Sequence, residues 1–315
     1  MCVVPSLFVF LVLDILNDGL SSHVPWAFDT LLGETSIYTS LEEIVLYMKS
    51  ERPKKCIFSG KNDRGLKLVP CREDEPICCD ESSDQDGPFC YFYTTVFKKV
   101  LLRLPLYNFK KELLTEINIA SSQLHPNSWA FVQGFSILYT YFDHLPSVEV
   151  FLYFFEAKRL GHQLWVSFNG VVGRVFLSLF QQSYKGFKGK FLKTCCNKKD
   201  PTLLHGFPLY WTEKSRFQGA RCLDEMPQRE REVCLFLSSL KVVFDIATLI
   251  DQEFSQVGLK AYIGISHSCT LAGVDLHVYL PNPCFLCRQH AGYTEQEGPS
   301  SQGQKDESCC PSFSC

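Results

Sequence analysis

From Trp129 to Phe142 the chain reads WAFVQGFSILYTYF, and a helix drawn through it is apolar nearly all round. Trp129, Val132, Phe135, Leu138 or Tyr139, and Phe142 recur at helical spacing, while Phe131, Ile137 and Tyr141 fill other faces. Such a helix has to be buried on most sides, so the rest of the chain must wrap it. At ~1.5–3 kcal/mol per buried large side chain, it could hold a domain together. Its aromatics therefore read as core packing rather than as a ligand-stacking box. Pro126 precedes Asn127 and Ser128, two good N-caps.

The flanks supply the wrapping. Upstream, Phe109, Leu113, Leu114 and Ile117 make one side of an amphipathic helix, with Lys110, Lys111, Glu112 and Glu116 outward. Downstream, Ser147 caps a helix with Glu149 in its first turn and Val150, Phe151, Phe154 and Phe155 on its apolar side. Lys158 and Arg159 read as its last turn, with Gly161 just beyond. Ser40 and Glu43 form a capping box for a helix reaching Lys49 and burying Leu41, Ile44, Val45 and Met48. Short strands are expected at 56–58 and 66–69 around a turn at 62–65, and near 90–100, 164–168, 187–191 and 207–211. Two more helices are expected, at 229–240, burying Val233, Phe236, Leu237 and Leu240, and at 244–254. The sum is an α+β fold, a mainly helical single domain with a small sheet.

Hydrophobic residues make up 46% of the 315 and aromatics 14%, enough for a packed core. The net charge of -3 and pI near 6.3 disfavour a dedicated nucleic-acid binder, which would be basic. Of 16 cysteines, Cys78-Cys79, Cys195-Cys196 and Cys309-Cys310 are adjacent pairs, which bridge each other poorly, so most are expected to be reduced. The apolar run 1–13 is too short to span a membrane before Asp14. As a signal peptide it has Ser21 and Ser22 but lacks a basic start and contains Pro5. The expectation is an intracellular protein; secretion of a cysteine-rich protein is the alternative if residues 1–22 act as a signal. Residues 74–87 read as an exposed acidic loop, and from Gly292 the composition is that of a disordered tail.

One basic run stands out: Lys185, Lys188, Lys190, Lys193, Lys198 and Lys199, interleaved with Tyr184, Phe187 and Phe191. Lysines among aromatics can grip single-stranded nucleic acid; the plainer reading is a solvated strand face, with Lys188, Lys190 and Lys193 turned away from Phe187 and Phe191. Reactive patterns are missing. There is no P-loop, HExxH or GxSxG. Asp29-Thr30-Leu31 lacks the glycine of an aspartic-protease motif. Cys284, Cys287 and His290 give two ligands and a misplaced third, which do not close a tetrahedral zinc site. His125 reads as a turn or core histidine rather than a base. No catalytic residue, metal or cofactor is assigned.

The central stretch SQLHPNSWAFVQGF resembles the core motif of the gypsy-type transposase domain of plant long-terminal-repeat retroelements. TSLEEIVLYMK, LVPCREDEPIC and FYTTVFKKVLLRLPL upstream, and LWVSFNGVVGR, SYKGFKGKFLK and GFPLYW downstream, are similar to the same family. The resemblance covers roughly 26–264, leaving 1–25 as an apolar leader and 265–315 as an unrelated, largely disordered tail. The family offers no catalytic residues to carry over. The resemblance implies a non-enzymatic, retrotransposon-derived structural or accessory fragment acting through protein contacts. A coiled coil and polymerase region expected further on are lacking, so an inactive relic is one form of this reading. A nucleic-acid-binding module using the lysine run is the alternative, with weak, sequence-independent binding.

Overall fold

The structure, a computed structural model, describes residues 35–268 apart from 51–56, 59–64, 80–86, 143, 161–163, 179, 181, 197–200, 218, 241 and 253–254. In chain order the elements are α1 (Leu41–Lys49), β1 (Leu66–Val69), β2 (Phe89–Tyr93), α2 (Thr94–Lys99), α3 (Asn108–Glu116) and α4 (Pro126–Tyr141). There follow α5 (Val148–Phe154), β3 (Phe155–Arg159), β4 (Val166–Gly170), β5 (Phe191–Cys196), α6 (Gln228–Ser239), α7 (Ile246–Gln252) and α8 (Gln256–Ser268). This is the α+β, mainly helical architecture expected, with two small sheets instead of one. The leader, the tail beyond Ser268, the 62–64 turn tip and residues 80–86 of the acidic loop lie outside the described residues, and 265–268 belong to α8.

α4 is the helix around which the rest is laid. Twelve of its sixteen residues are buried, so it has no solvent face of ordinary size. Its cap differs from expectation. His125 is the N-cap, its Nδ1 accepting the Asn127 N–H at 3.2 Å, and Pro126 takes the first turn, where no amide is needed. Asn127 instead exchanges hydrogen bonds with the backbone of Gln182 (3.3 and 3.2 Å), and buried Ser128 accepts the Phe168 N–H at 2.9 Å. Both side chains are thus spent on tertiary contacts.

Each side of α4 meets a different neighbour. Trp129 Nε1 donates to Ser121 O at 3.1 Å, and its ring lies 6.5 Å from Phe92. Phe135 stacks on Phe109 of α3 (5.4 Å) and meets Phe151 of α5 edge-on (5.2 Å). Phe131 packs on Phe155 of β3 (5.2 Å). Gly134 faces α7, with Ile246 at ordinary contact distance (3.6 Å) from where a Cβ would sit.

The first sheet has the order β1-β5-β2, antiparallel throughout, with Leu66 opposite Cys196 and Tyr93 opposite Phe191. As the central strand, β5 is buried at every residue. The expected strand at 187–191 is displaced: 183–190 forms turns, with Gly186 at φ +64, and the strand begins at Phe191. The stretch 207–211 is loop, pinned by buried Phe207 and by Trp211, whose Nε1 donates to Ser122 Oγ at 2.8 Å.

Two more expectations are corrected. The helix after Ser147 stops at Phe154, and Lys158 and Arg159 belong to β3, hairpinned with β4. The period there is two: Phe155 and Ala157 point inward, while Glu156 and Lys158 are paired at the surface. α1 has its capping box, with Ser40 Oγ accepting the Glu43 N–H and Glu43 Oε2 accepting the Ser40 N–H at 2.9 Å. However, it buries Ile44 and Tyr47 and leaves Leu41 and Val45 exposed. The bulky Tyr47 docks edge-on against Tyr38 (5.4 Å) and sets which face turns inward. The helices expected at 229–240 and 244–254 appear as α6 and α7.

Trp129 is 1% exposed and its indole N–H is satisfied. Trp129→Ala is therefore expected to lower the unfolding free energy by ~3–5 kcal/mol in urea denaturation followed by circular dichroism. An unchanged midpoint would mean that α4 is not load-sharing with the Phe92 side of the core.

Candidate functional site

The lysine run does not form one basic face. Lys185 and Lys190 are exposed and Lys188 is half-buried, all in the turns before β5. Lys188 Nζ lies 4.7 Å from the centroid of the Trp165 ring. Phe187, between them, packs inward against Tyr93 (4.9 Å), His125 and Trp165 (both 5.7 Å), as the plainer reading of the interleaved aromatics expected. Lys198 and Lys199 lie outside the described residues.

Two residues outside the run join it. The Thr94 N–H that starts α2 donates to Lys190 O at 2.8 Å, which brings the start of α2 to the turn. Burial first, then the charges of Lys190 and Lys99, lower the pKa of Lys98. Exposed Lys98 and Lys99 therefore extend the patch formed by Lys190. They are about ninety positions away in sequence, and no local pattern could have linked them.

Lys193 is a correction. It lies two residues after Phe191 on the same strand and so shares its face, and it is 3% exposed. Its Nζ makes an ion pair with Glu75 Oε1 at 2.9 Å and lies 4.2 Å from the Phe89 ring centroid. Glu75, expected in an exposed acidic loop, is fully buried. Its carboxylate also accepts the Tyr91 hydroxyl and, at 2.8 Å, the Arg72 backbone N–H. A charge held by three donors can be kept in a core, whereas an isolated one could not.

Six cysteines belong to the first sheet or to the 71–79 segment that holds Glu75. Cys71, Cys78, Cys79, Cys90, Cys195 and Cys196 are all buried. Burial, followed by the Glu75 charge, pushes the Cys71 thiol up to about 12, and burial pushes Cys90 well above the ordinary range. Raised thiols are poor nucleophiles, so Cys71 and Cys90 behave as core side chains. Among the described residues, no three His, Cys, Asp or Glu side chains come together as a metal site. Burial lowers the pKa of His125, which favours the neutral ring that its Nδ1 cap requires. Cys284, Cys287, His290 and Asp29 lie outside the described residues.

A family model described as "Putative gypsy type transposon" matches residues 92–159. The match starts within β2, runs through α2, α3, α4 and α5, and ends at the last residue of β3. It is narrower than the resemblance at 26–264 and coincides with the buried helix and the elements that wrap it. It supports a transposon-derived domain at the centre of the chain. The chain matches no curated protein and no solved structure.

Replacing one partner of the buried ion pair should show its role. Glu75→Gln is expected to cost ~3–5 kcal/mol in denaturant titration, because it strands the Lys193 charge. Adding Lys193→Met should recover most of that loss. Additive losses in the double variant would mean the two groups do not act as a pair.

Proposed function

We propose that the chain is a retrotransposon-derived structural or accessory protein, of the gypsy type carried by plant retroelements. On this reading it performs no chemistry of its own and works inside the cell through contacts with other proteins. The observation that carries the proposal is where the family match falls. Most of its large side chains, Phe92, Phe97, Phe109, Trp129, Phe135, Phe151 and Phe154 among them, are buried. The matched segment is spent on scaffold, which leaves the outer surface to define partners. Buried thiols at Cys71, Cys90 and Cys234 suit a reducing compartment.

A second reading, weak nucleic-acid binding, is favoured by the approach of Lys98 to Lys190. Such a patch engages phosphates without reading bases.

Two assays on the full chain separate these readings. Labelled DNA ends incubated with the protein and Mg²⁺ or Mn²⁺ should be neither cut nor joined; a metal-dependent product would contradict the non-enzymatic reading. Fluorescence anisotropy with single-stranded RNA should show weak binding that is lost by ~150 mM salt. At low salt it should disappear in the Lys98→Glu, Lys190→Glu double variant. A dissociation constant below ~1 μM at ~150 mM salt, removed by that variant, would make the nucleic-acid reading the better one.

A further inference from the structure

Between α3, the start of α5 and α6 lies a groove of about 420 Å³, within the range that holds small ligands. Four carboxylates stand on its walls: Glu112 and Glu116 from α3, Glu149 from α5 and Glu230 from α6. Two are already engaged. Arg221 reaches Glu116 Oε1 through Nη2 at 2.5 Å and Glu149 Oε2 through Nε at 3.0 Å. Among the described residues, no ion pair engages Glu112 or Glu230. Arg229 and His144 also border the groove, but its four acids outnumber these two basic residues.

Acidic residues alone would not make a site. The second observation is Tyr139 of α4, which lines the same groove and is 3% exposed. Among the described residues its hydroxyl has no hydrogen-bond partner. Burial raises its pKa well above the ordinary value, and the charges of Cys234 and Glu230 act in the same direction. The hydroxyl therefore stays protonated, with the Glu230 carboxylate close by. A buried hydroxyl without a partner is costly, and a donor entering the groove would satisfy its oxygen. Val148 and Val233 add apolar wall, and Leu145 at the mouth is 59% exposed.

These features ask for a ligand with an aliphatic stem and a flat head carrying several donors. We propose that the groove takes the alkylguanidinium side chain of an arginine, presented by a basic segment of another protein. A guanidinium offers five donors in one plane, enough in number for Glu112, Glu230 and the Tyr139 oxygen. Arg221, bridging Glu116 and Glu149 beside the groove, shows the same chemistry done within the chain. A hard metal ion fits less well, since no three acidic or histidine side chains converge on one point among the described residues. The stem lies along Val148 and Val233, and Leu145 meets the backbone of the incoming segment. The proposal rests on the reading that the chain works by protein contact, and it names one contact chemistry.

The test is anisotropy of a labelled, blocked pentapeptide with one central arginine, titrated with the full chain. Binding should saturate, and a peptide carrying neutral citrulline should bind at least ~10-fold more weakly. Glu230→Gln and Glu112→Gln should each weaken binding roughly fivefold or more, and Tyr139→Phe roughly threefold or more. All three keep side-chain volume, and unchanged circular dichroism confirms folding. Equal binding of the citrulline peptide, or indifference to all three substitutions, overturns the site. Spermidine or free arginine binding as tightly as the peptide overturns the peptide as its ligand. The DNA-end assay does not involve this groove, so failure here and failure of the non-enzymatic reading are separate results.

Discussion

A helix that is apolar nearly all round cannot rest on a surface; it has to be enclosed on most sides, and each enclosing element must bring its own apolar side. α4 imposes that condition on this chain. α3 and α5 cover it with Phe109 and Phe151, β2 and β3 approach with Phe92 and Phe155, and α7 reaches in at Gly134. Polar groups on and beside α4 are used as fasteners. The Trp129 indole, the Ser128 hydroxyl and the Asn127 amide each tie the helix to backbone that is distant in sequence or in another element. The first sheet does not touch α4 along its whole width. It is secured separately, by the Glu75–Lys193 pair that fixes the cysteine-rich segment against β5.

Two lysines illustrate how charge enters such a core. Lys193 is held by a carboxylate that has two further donors. Lys110 of α3 is 4% exposed, and its Nζ donates to Gln133 Oε1 on α4 at 2.7 Å. Lys110 joins α3 to α4, and Lys193 joins β5 to the Glu75 segment, each by a directional contact where hydrophobic burial alone would set no register. Specificity of this kind, more than added stability, is what a buried polar link can supply.

Much of this was legible in the sequence and some was not, for identifiable reasons. The 3.6 period of Trp129, Val132 and Phe135 found α4, and Ser40 with Glu43 found the start of α1, because both signals are local. The end of α5 is not legible in the sequence because Phe155, Ala157 and the basic residues after them also satisfy a helical pattern for one turn; the strand becomes evident only from its partner, Val166–Gly170. Lys110 carried an unused clue: it stands three and four residues before Leu113 and Leu114 and shares their buried face. Lys193 carried another, lying in the run Phe191–Cys196 that is apolar on both sides, as a central strand is. Glu75 gave no warning, since its three partners come from β2, β5 and its own turn. The Lys98–Lys190 patch and the groove of Glu112, Glu230 and Tyr139 are likewise products of tertiary assembly.

The central claim is that the enclosed helix is the last part of the molecule to open. Native-state amide hydrogen exchange addresses it directly. The account predicts that amides of Val132 to Leu138 exchange only through global unfolding, with opening free energies equal to the denaturant-derived stability and higher than those of α1. Exchange of those amides through a lower-energy local opening, while β5 or α3 stays protected, would contradict it.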